Sequence, residues 1–162
     1  MKVVYADPPY IGQAKKHYKS DEIDHQRLID DMERKYDGWA LSLSSPTLKI
    51  ILPMCPDNVR IGAWVKPFCS FKPNVNPAYA WEPVIFKPAR ERGRDLVTSR
   101  DWISTSITLQ KGLVGAKPKV FCYWLFEILG MQTDDEFVDL FPGTGVVTDA
   151  WGEWCNSMEL KI

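Results

Sequence analysis

The sequence predicts an α/β domain built on a largely parallel sheet flanked by helices. Short β-branched or aromatic runs alternate along the chain with segments of helical spacing. The 162 residues, 45% of them hydrophobic, suffice for one domain with a buried core, taken as residues 1–162. Two strands end in an acid followed by a proline- or glycine-marked turn, "YADPPY" and "DLFPGTG". Sheets of this class bind ligands at the carboxyl ends of their strands.

The elements follow in order. "KVVYA" is a buried strand ended by Pro8 and Pro9. From Ser20 to Tyr36, Ile23, Leu28, Ile29, Met32 and Tyr36 recur near helical spacing, with Ser20 or Asp24 as the cap. "GWALSLS" is a second strand, and "SPTLKIIL" a helix with Ser45 as cap and Pro46 at its first position. "VRIGAWV" and "AWEPVIFK" are the third and fourth strands, and Pro83 argues that the fourth is an edge or carries a bulge. Residues 87–115 mix Gly, Arg and Ser without a period and read as a long loop, the kind that is usually functional or disordered. A helix follows, with Pro118 in its first turn, an apolar stripe through Phe121, Trp124, Leu125, Ile128 and Leu129, and Gly130 at its end. Then come strand "EFVDLF", turn "PGTG", a helix from Val146 to Cys155 and a last strand "SMEL".

Composition narrows the function classes. A net charge of -1 argues against a strongly basic nucleic-acid binder, so contact with a polyanion needs a local patch. No apolar run approaches the roughly 18 residues of a membrane span, and "MKVVYADPP" has no secretion-signal pattern. The four cysteines form no C-x-x-C pair and fit free thiols in a reducing cytosol; no metal site is expected. The seven tryptophans are core or interface material, with one or two available to line a pocket for something flat. His17 and His25 read as ordinary loop or helix residues.

The segment "VDLFPGTGVVTDAW" lets backbone approach a ligand closely at a helix start. It is no phosphate loop, and Thr148 occupies the third glycine position of the dinucleotide fingerprint after Gly143 and Gly145. Asp139 suits a cationic ligand group. Glu159, about twenty residues on at the end of the last expected strand, suits ribose hydroxyls. Together they describe S-adenosylmethionine; by itself the turn also reads as a tight turn that needs its glycines.

With "ADPPY", "WVKP", "WEPVIF", "KP" and "DLFPGTG" in that order, the chain resembles the amino-group DNA methyltransferases, which methylate adenine N6 or cytosine N4. The order is that of the permuted members, catalytic motif before cofactor motif, and covers nearly the whole chain. The resemblance implies a Rossmann-like methyltransferase fold, here without an edge strand after Glu159. It assigns catalysis to Asp7, Pro8, Pro9 and Tyr10, and S-adenosylmethionine to Asp139, Phe141, Gly143, Thr144, Gly145, Glu159, Lys117 and Pro118. Trp64 and Lys66 match the strand near the base pocket.

The chemistry agrees with that assignment. An exocyclic amine is a poor nucleophile, and two acceptors on its hydrogens aim its lone pair at the methyl donor. Asp7 offers a carboxylate, Pro8 a carbonyl with a fixed direction, and Tyr10 a ring to stack on an extruded base. Cytosine carbon methylation needs a cysteine nucleophile, and neither Cys55 nor Cys69 has the setting for it. For substrate, Lys87, Arg90, Arg92, Arg94 and Arg100 outnumber Glu91 and Asp95 in the candidate recognition loop, and "QAKKHYK" adds Lys15 and Lys16 beside the catalytic turn. Either stretch also reads as a solvated loop. Within the family that the chain resembles, Asp before the prolines leans to adenine, and the partner the resemblance implies is duplex DNA with an extruded base. The alternatives are cytosine N4, an RNA base, or a regulatory subunit that binds cofactor without turnover. A second copy of the chain is a candidate partner, and the compact form resembles enzymes of bacteria and phages, including restriction-modification enzymes of the bacterial cytoplasm.

Overall fold

The structure, a computed structural model, describes residues 1–12, 22–68, 73–94, 96–108 and 116–160, with Glu159 described by its backbone only. Among the described residues, six strands form one sheet in the order β5-β3-β4-β2-β1-β6. These are β1 (Lys2–Ala6), β2 (Gly38–Ser42), β3 (Arg60–Val65), β4 (Trp81–Lys87), β5 (Trp102–Ser104) and β6 (Glu136–Asp139). β1 is parallel to both β2 and β6, and β3 is parallel to β5. β4 runs antiparallel to both its neighbours, β2 and β3. The helices are α1 (His25–Lys35), the short α2 (Leu48–Ile51) between two 3-10 turns, α3 (Lys119–Ile128) and α4 (Val146–Glu159). Among the described residues, no helix is long and apolar enough to cross a membrane.

Period-2 alternation divides the core between the two sheet faces. Val3, Tyr5, Ala40, Val84 and Phe86 pack against Phe121, Phe126 and Trp154 of α3 and α4. Val4, Ala6, Trp39, Leu41 and Ile85 pack against Ile29, Met32 and Ile51 of α1 and α2. Burial of each large side chain such as Trp39 or Phe121 contributes about 2–3 kcal/mol. Helices on both faces leave only the strand ends of the central strands open, and the site lies there.

Local signals explain most boundaries. The Asp24 carboxylate accepts from the Arg27 N–H at 3.0 Å and starts α1. Pro118 caps α3. Gly130 ends α3 at φ 68°, where Met131 N–H reaches the Phe126 carbonyl at 3.0 Å. A Cβ on Gly130 would lie 2.7 Å from the Arg90 carbonyl, so glycine is required twice over there.

Four expectations need correction. The helix cap near Pro46 is Ser44 rather than Ser45, and the segment winds as 3-10, α and 3-10 turns in succession. Pro83 lies in an interior strand, because its missing N–H falls opposite Leu43, one residue past the end of β2; the Leu43 N–H still donates to the Pro83 carbonyl at 3.2 Å. The 87–115 segment is not all loop: β5 forms in it, held by indole N–H donors from Trp64 to the Thr105 carbonyl and from Trp124 to the Arg100 carbonyl, both at 2.8 Å. The strand expected at "SMEL" is helix, since nothing between Cys155 and Glu159 breaks α4.

Candidate active site

Two neighbouring parallel strands deliver the two turns side by side. In the β1–β6 register Tyr5 pairs with Asp139, and the Leu140 N–H extends the ladder to the Tyr5 carbonyl at 3.0 Å. Asp7 therefore follows the end of β1 next to where Asp139 ends β6. Beyond Asp139 the chain folds tightly: the Phe141 N–H donates to Asp139 Oδ1 at 3.1 Å, and the Gly145 N–H to the Pro142 carbonyl at 2.6 Å. Gly143 and Gly145 adopt φ of 50° and 81°, and a Cβ on Gly145 would meet nothing within 4 Å. The turn is thus an open cradle at the start of α4, whose first N–H groups lack helical partners. Tyr5, Asp7, Lys117, Asp139, Phe141 and Gly143 help line a cavity of about 390 Å³ between the two strand ends.

An alternating row of charges supports the Asp7 side. Lys117, the second residue before α3, is 6% exposed, and its Nζ lies 3.0 Å from Asp7 Oδ2 and 3.4 Å from Glu82 Oε2. The other oxygen of Glu82 pairs with Lys66 just past β3. The Trp64 ring carries both ammonium groups, Lys66 at 4.4 Å and Lys117 at 5.4 Å from its centroid. Trp64 itself is core, packed on Phe121 with ring centroids 5.2 Å apart. The Tyr10 phenol and the Glu82 carboxylate influence each other electrostatically in the same row. Buried Tyr5 shares a 2.7 Å hydrogen bond with Ser42 Oγ.

This arrangement sets the protonation. Burial pushes the Asp7 carboxyl up, and the Lys117 ammonium pulls part of that back. Burial would strip Lys117 of its proton, but Asp7, the two tyrosines and Glu82 hold it on, well above the usual lysine range. Burial also pushes Glu82 up, yet Lys117 and Lys66 overcome it and keep it below the ordinary glutamate value. Asp139 is raised by burial, with partial relief from the Phe141 N–H and a further push from Asp7. Burial drives the Cys55 thiol up to about 11 and Cys122 up to about 12, so neither is a thiolate nucleophile at neutral pH.

The structure thus brings together Asp7, Lys117, Asp139, Phe141, Gly143 and Thr144 around one cavity, with Gly145 and Pro118 capping the flanking helices α4 and α3. Pro8 is buried, and Pro9 and Tyr10 are half-buried beside Asp7. Glu159 departs from the group. As the last of the 14 residues of α4, it sits at the far end of the helix from the turn, roughly 20 Å along the axis. It cannot serve as a strand-end acid for this cavity. Arg90 is likewise taken out of the recognition loop's free cations: it grips Asp135 with two bonds, 2.6 and 2.8 Å long, and the Gly130 carbonyl with a third. Arg92 donates to the carbonyls of Glu127 and Val97, whereas Arg94 is exposed. Lys66 is at the site but bound to Glu82. Lys15 and Lys16 lie outside the described residues. Sequence reasoning passed over Glu82 as a site residue; its signal was a carboxylate in the otherwise apolar run "WEPVIF".

No protein-family model matches the chain, and no curated protein matches it significantly. Solved structures do. The fold resembles that of M1.HpyAVI. A crystal structure of the M1.HpyAVI–SAM complex superposes with a TM-score of 0.63 at 15% identity, covering 94% of this chain and 77% of that one. A second M1.HpyAVI crystal structure gives 0.62 at 15% identity, covering 94% and 76%. The chain accordingly has a mixed α/β, Rossmann-like fold of the kind seen in M1.HpyAVI. At this identity M1.HpyAVI speaks for the fold alone.

Proposed function

We propose that the protein transfers a methyl group from S-adenosylmethionine to an exocyclic amine of a DNA base, adenine N6, and that it is a permuted member of the amino-group DNA methyltransferases. One observation carries the reading: Asp7, the first residue past β1, and the Asp139–Thr144 turn that ends the adjacent parallel strand β6 line one cavity. The M1.HpyAVI–SAM likeness supports the choice of cofactor.

The residues fit such a cofactor. A cavity of about 390 Å³ falls within the roughly 300–1,000 Å³ of small-molecule sites. Asp139 spends one oxygen on the Phe141 N–H and keeps a charge for the ammonium of an amino acid. The open turn at Gly143 and Gly145 would let the α4 N-terminus hold the carboxylate of the same group. When bound, the cofactor supplies a methyl carbon activated by a sulfonium.

The chain's own residues do the rest. Asp7 and the Pro8 carbonyl accept the hydrogens of the target amine and orient its lone pair. Lys117 fixes the Asp7 carboxylate through Oδ2. Tyr10 offers its ring to the base. Asp7 also stands ready to take the proton that the methylated nitrogen releases. Catalysis here is positioning and polarisation, with no strong base before attack.

The test is incubation with methyl-labelled S-adenosylmethionine and duplex DNA, followed by digestion to nucleosides. Label in N6-methyldeoxyadenosine is the expected result. Label in N4-methyldeoxycytidine or only in RNA reassigns the substrate, and no label with intact cofactor binding makes the protein a regulatory subunit.

A further inference from the structure

We infer that Glu82 is a positioning residue of this site, holding Lys117 in a shared grip so that the Asp7 carboxylate stays oriented without being fully occupied. The kinetic part of this inference rests on the methyl-transfer reading above.

Glu82 is the second residue of β4, with a side chain only 17% exposed. A carboxylate buried there costs several kcal/mol unless paired. The pairing is unusual in its direction. One oxygen takes Lys66, while the other faces Lys117 at 3.4 Å, and Lys117 reaches Asp7 at 3.0 Å. The row Asp7, Lys117, Glu82, Lys66 alternates in sign and sums to zero. Tyr10, the ring proposed to meet the base, is coupled electrostatically to the Glu82 carboxylate. Glu82 therefore braces the Asp7 end of the Asp7–Tyr10 turn, through Lys117, from a strand that carries no part of it.

The consequence is a division of Lys117. An ammonium has three donors, and with two acidic partners it splits them. It occupies Asp7 Oδ2 and leaves capacity on the carboxylate for an amine hydrogen. Without Glu82, Lys117 would have Asp7 as its single anionic partner among the described residues and would bind it more tightly. The amine would then compete with a stronger rival.

The groups facing Asp7 are Lys117 before α3, Glu82 on β4, Lys66 after β3, Tyr5 on β1, Tyr10 in its own turn and Asp139 on β6. Lys117 and Lys66 favour the Asp7 carboxylate, whereas Glu82 disfavours it. Removing the Glu82 charge must therefore lower the pH at which Asp7 titrates, and removing the Lys117 charge must raise it. The titration reads the shared charges, whereas a positioning role is read by a fall in kcat with S-adenosylmethionine affinity unchanged.

The experiment compares wild type, Glu82→Gln and Lys117→Met, with two readouts. The first is methyl transfer: Glu82→Gln is expected to lower kcat about tenfold, with S-adenosylmethionine affinity unchanged and the acid limb of the pH profile moved down. The second is the Asp7 carboxyl titration by carbon NMR, which needs no turnover. It is expected to move down in Glu82→Gln and up in Lys117→Met. NMR shifts of that sign without methyl transfer by wild type would refute the enzyme reading and leave the brace standing. Unchanged titration, or shifts in the same direction in both variants, overturns the brace whatever the activity. Should Glu82→Gln fail to fold, Lys66→Gln serves instead, with an upward shift expected and no shift counting against the proposal.

Discussion

Asp7 and Asp139 end neighbouring parallel strands, line the same cavity and are both pushed up by burial, yet they are held differently. Asp7 faces a fixed ammonium, Lys117, at 3.0 Å. Asp139 receives a backbone N–H from Phe141 at 3.1 Å. A carboxylate with a built-in counter-ion is oriented and largely neutralised, which suits an acceptor of hydrogens on a neutral amine. A carboxylate braced only by its own turn keeps its charge, which suits a cation that arrives and leaves. On the proposed reading, the two strand ends separate the chemistry from the cofactor's charge.

The largest effect expected is on the Asp7 side. Asp7→Ala should reduce methyl transfer on the order of a thousandfold, read as labelled nucleoside per unit time. Next comes a contrast at the opposite end of β6, where Asp135 is wholly buried and holds Arg90, the Met1 amine and the Gln132 N–H. Burial pushes its carboxyl up, but those bonds win and hold it far below the usual range. Such an acid stabilises the fold above its unfolded pKa, near 3.9, and that contribution is lost as pH falls towards its folded value. Asp135→Asn should cost about 3 kcal/mol in denaturant unfolding at neutral pH, without altering cofactor affinity per folded molecule. That outcome separates an acid that holds the fold from the two proposed to hold ligands.

Much of this was legible in the residues, and the rest fails for physical reasons. The Val-Val-Tyr run, the Asp24 cap and the Pro118-to-Gly130 helix carry local signals, and the structure follows them. That "YADPPY" and "DLFPGTG" end strands was equally local. That the strands are neighbours was not: the Tyr5–Asp139 register joins residues 134 positions apart in chain. The Lys117–Glu82 contact likewise spans 35 positions and leaves no periodic trace. Glu159 misled because a ribose-binding acid was expected from spacing, whereas Asn156, Ser157 and Met158 simply prolong α4. Arg90 misled because a loop arginine looks free in sequence, and only the fold reveals Asp135 opposite it.

Two smaller effects sharpen the contrast between the strand ends. Because burial raises the Asp139 carboxyl, the loss of cofactor binding on acidification should set in above the ordinary aspartate range, near 3.9; affinity measured across pH checks this. Gly145→Ala, forced to φ 81° with space for its Cβ, should lose about 1 kcal/mol of stability, read by thermal unfolding.

The division of labour is tested most directly by titrating S-adenosylmethionine into Asp7→Ala and Asp139→Asn side by side in a calorimeter. Asp7→Ala should bind as wild type does, while Asp139→Asn should bind about tenfold to a hundredfold more weakly. Equal losses in both variants, or a loss confined to Asp7→Ala, would contradict the assignment of the two strand ends.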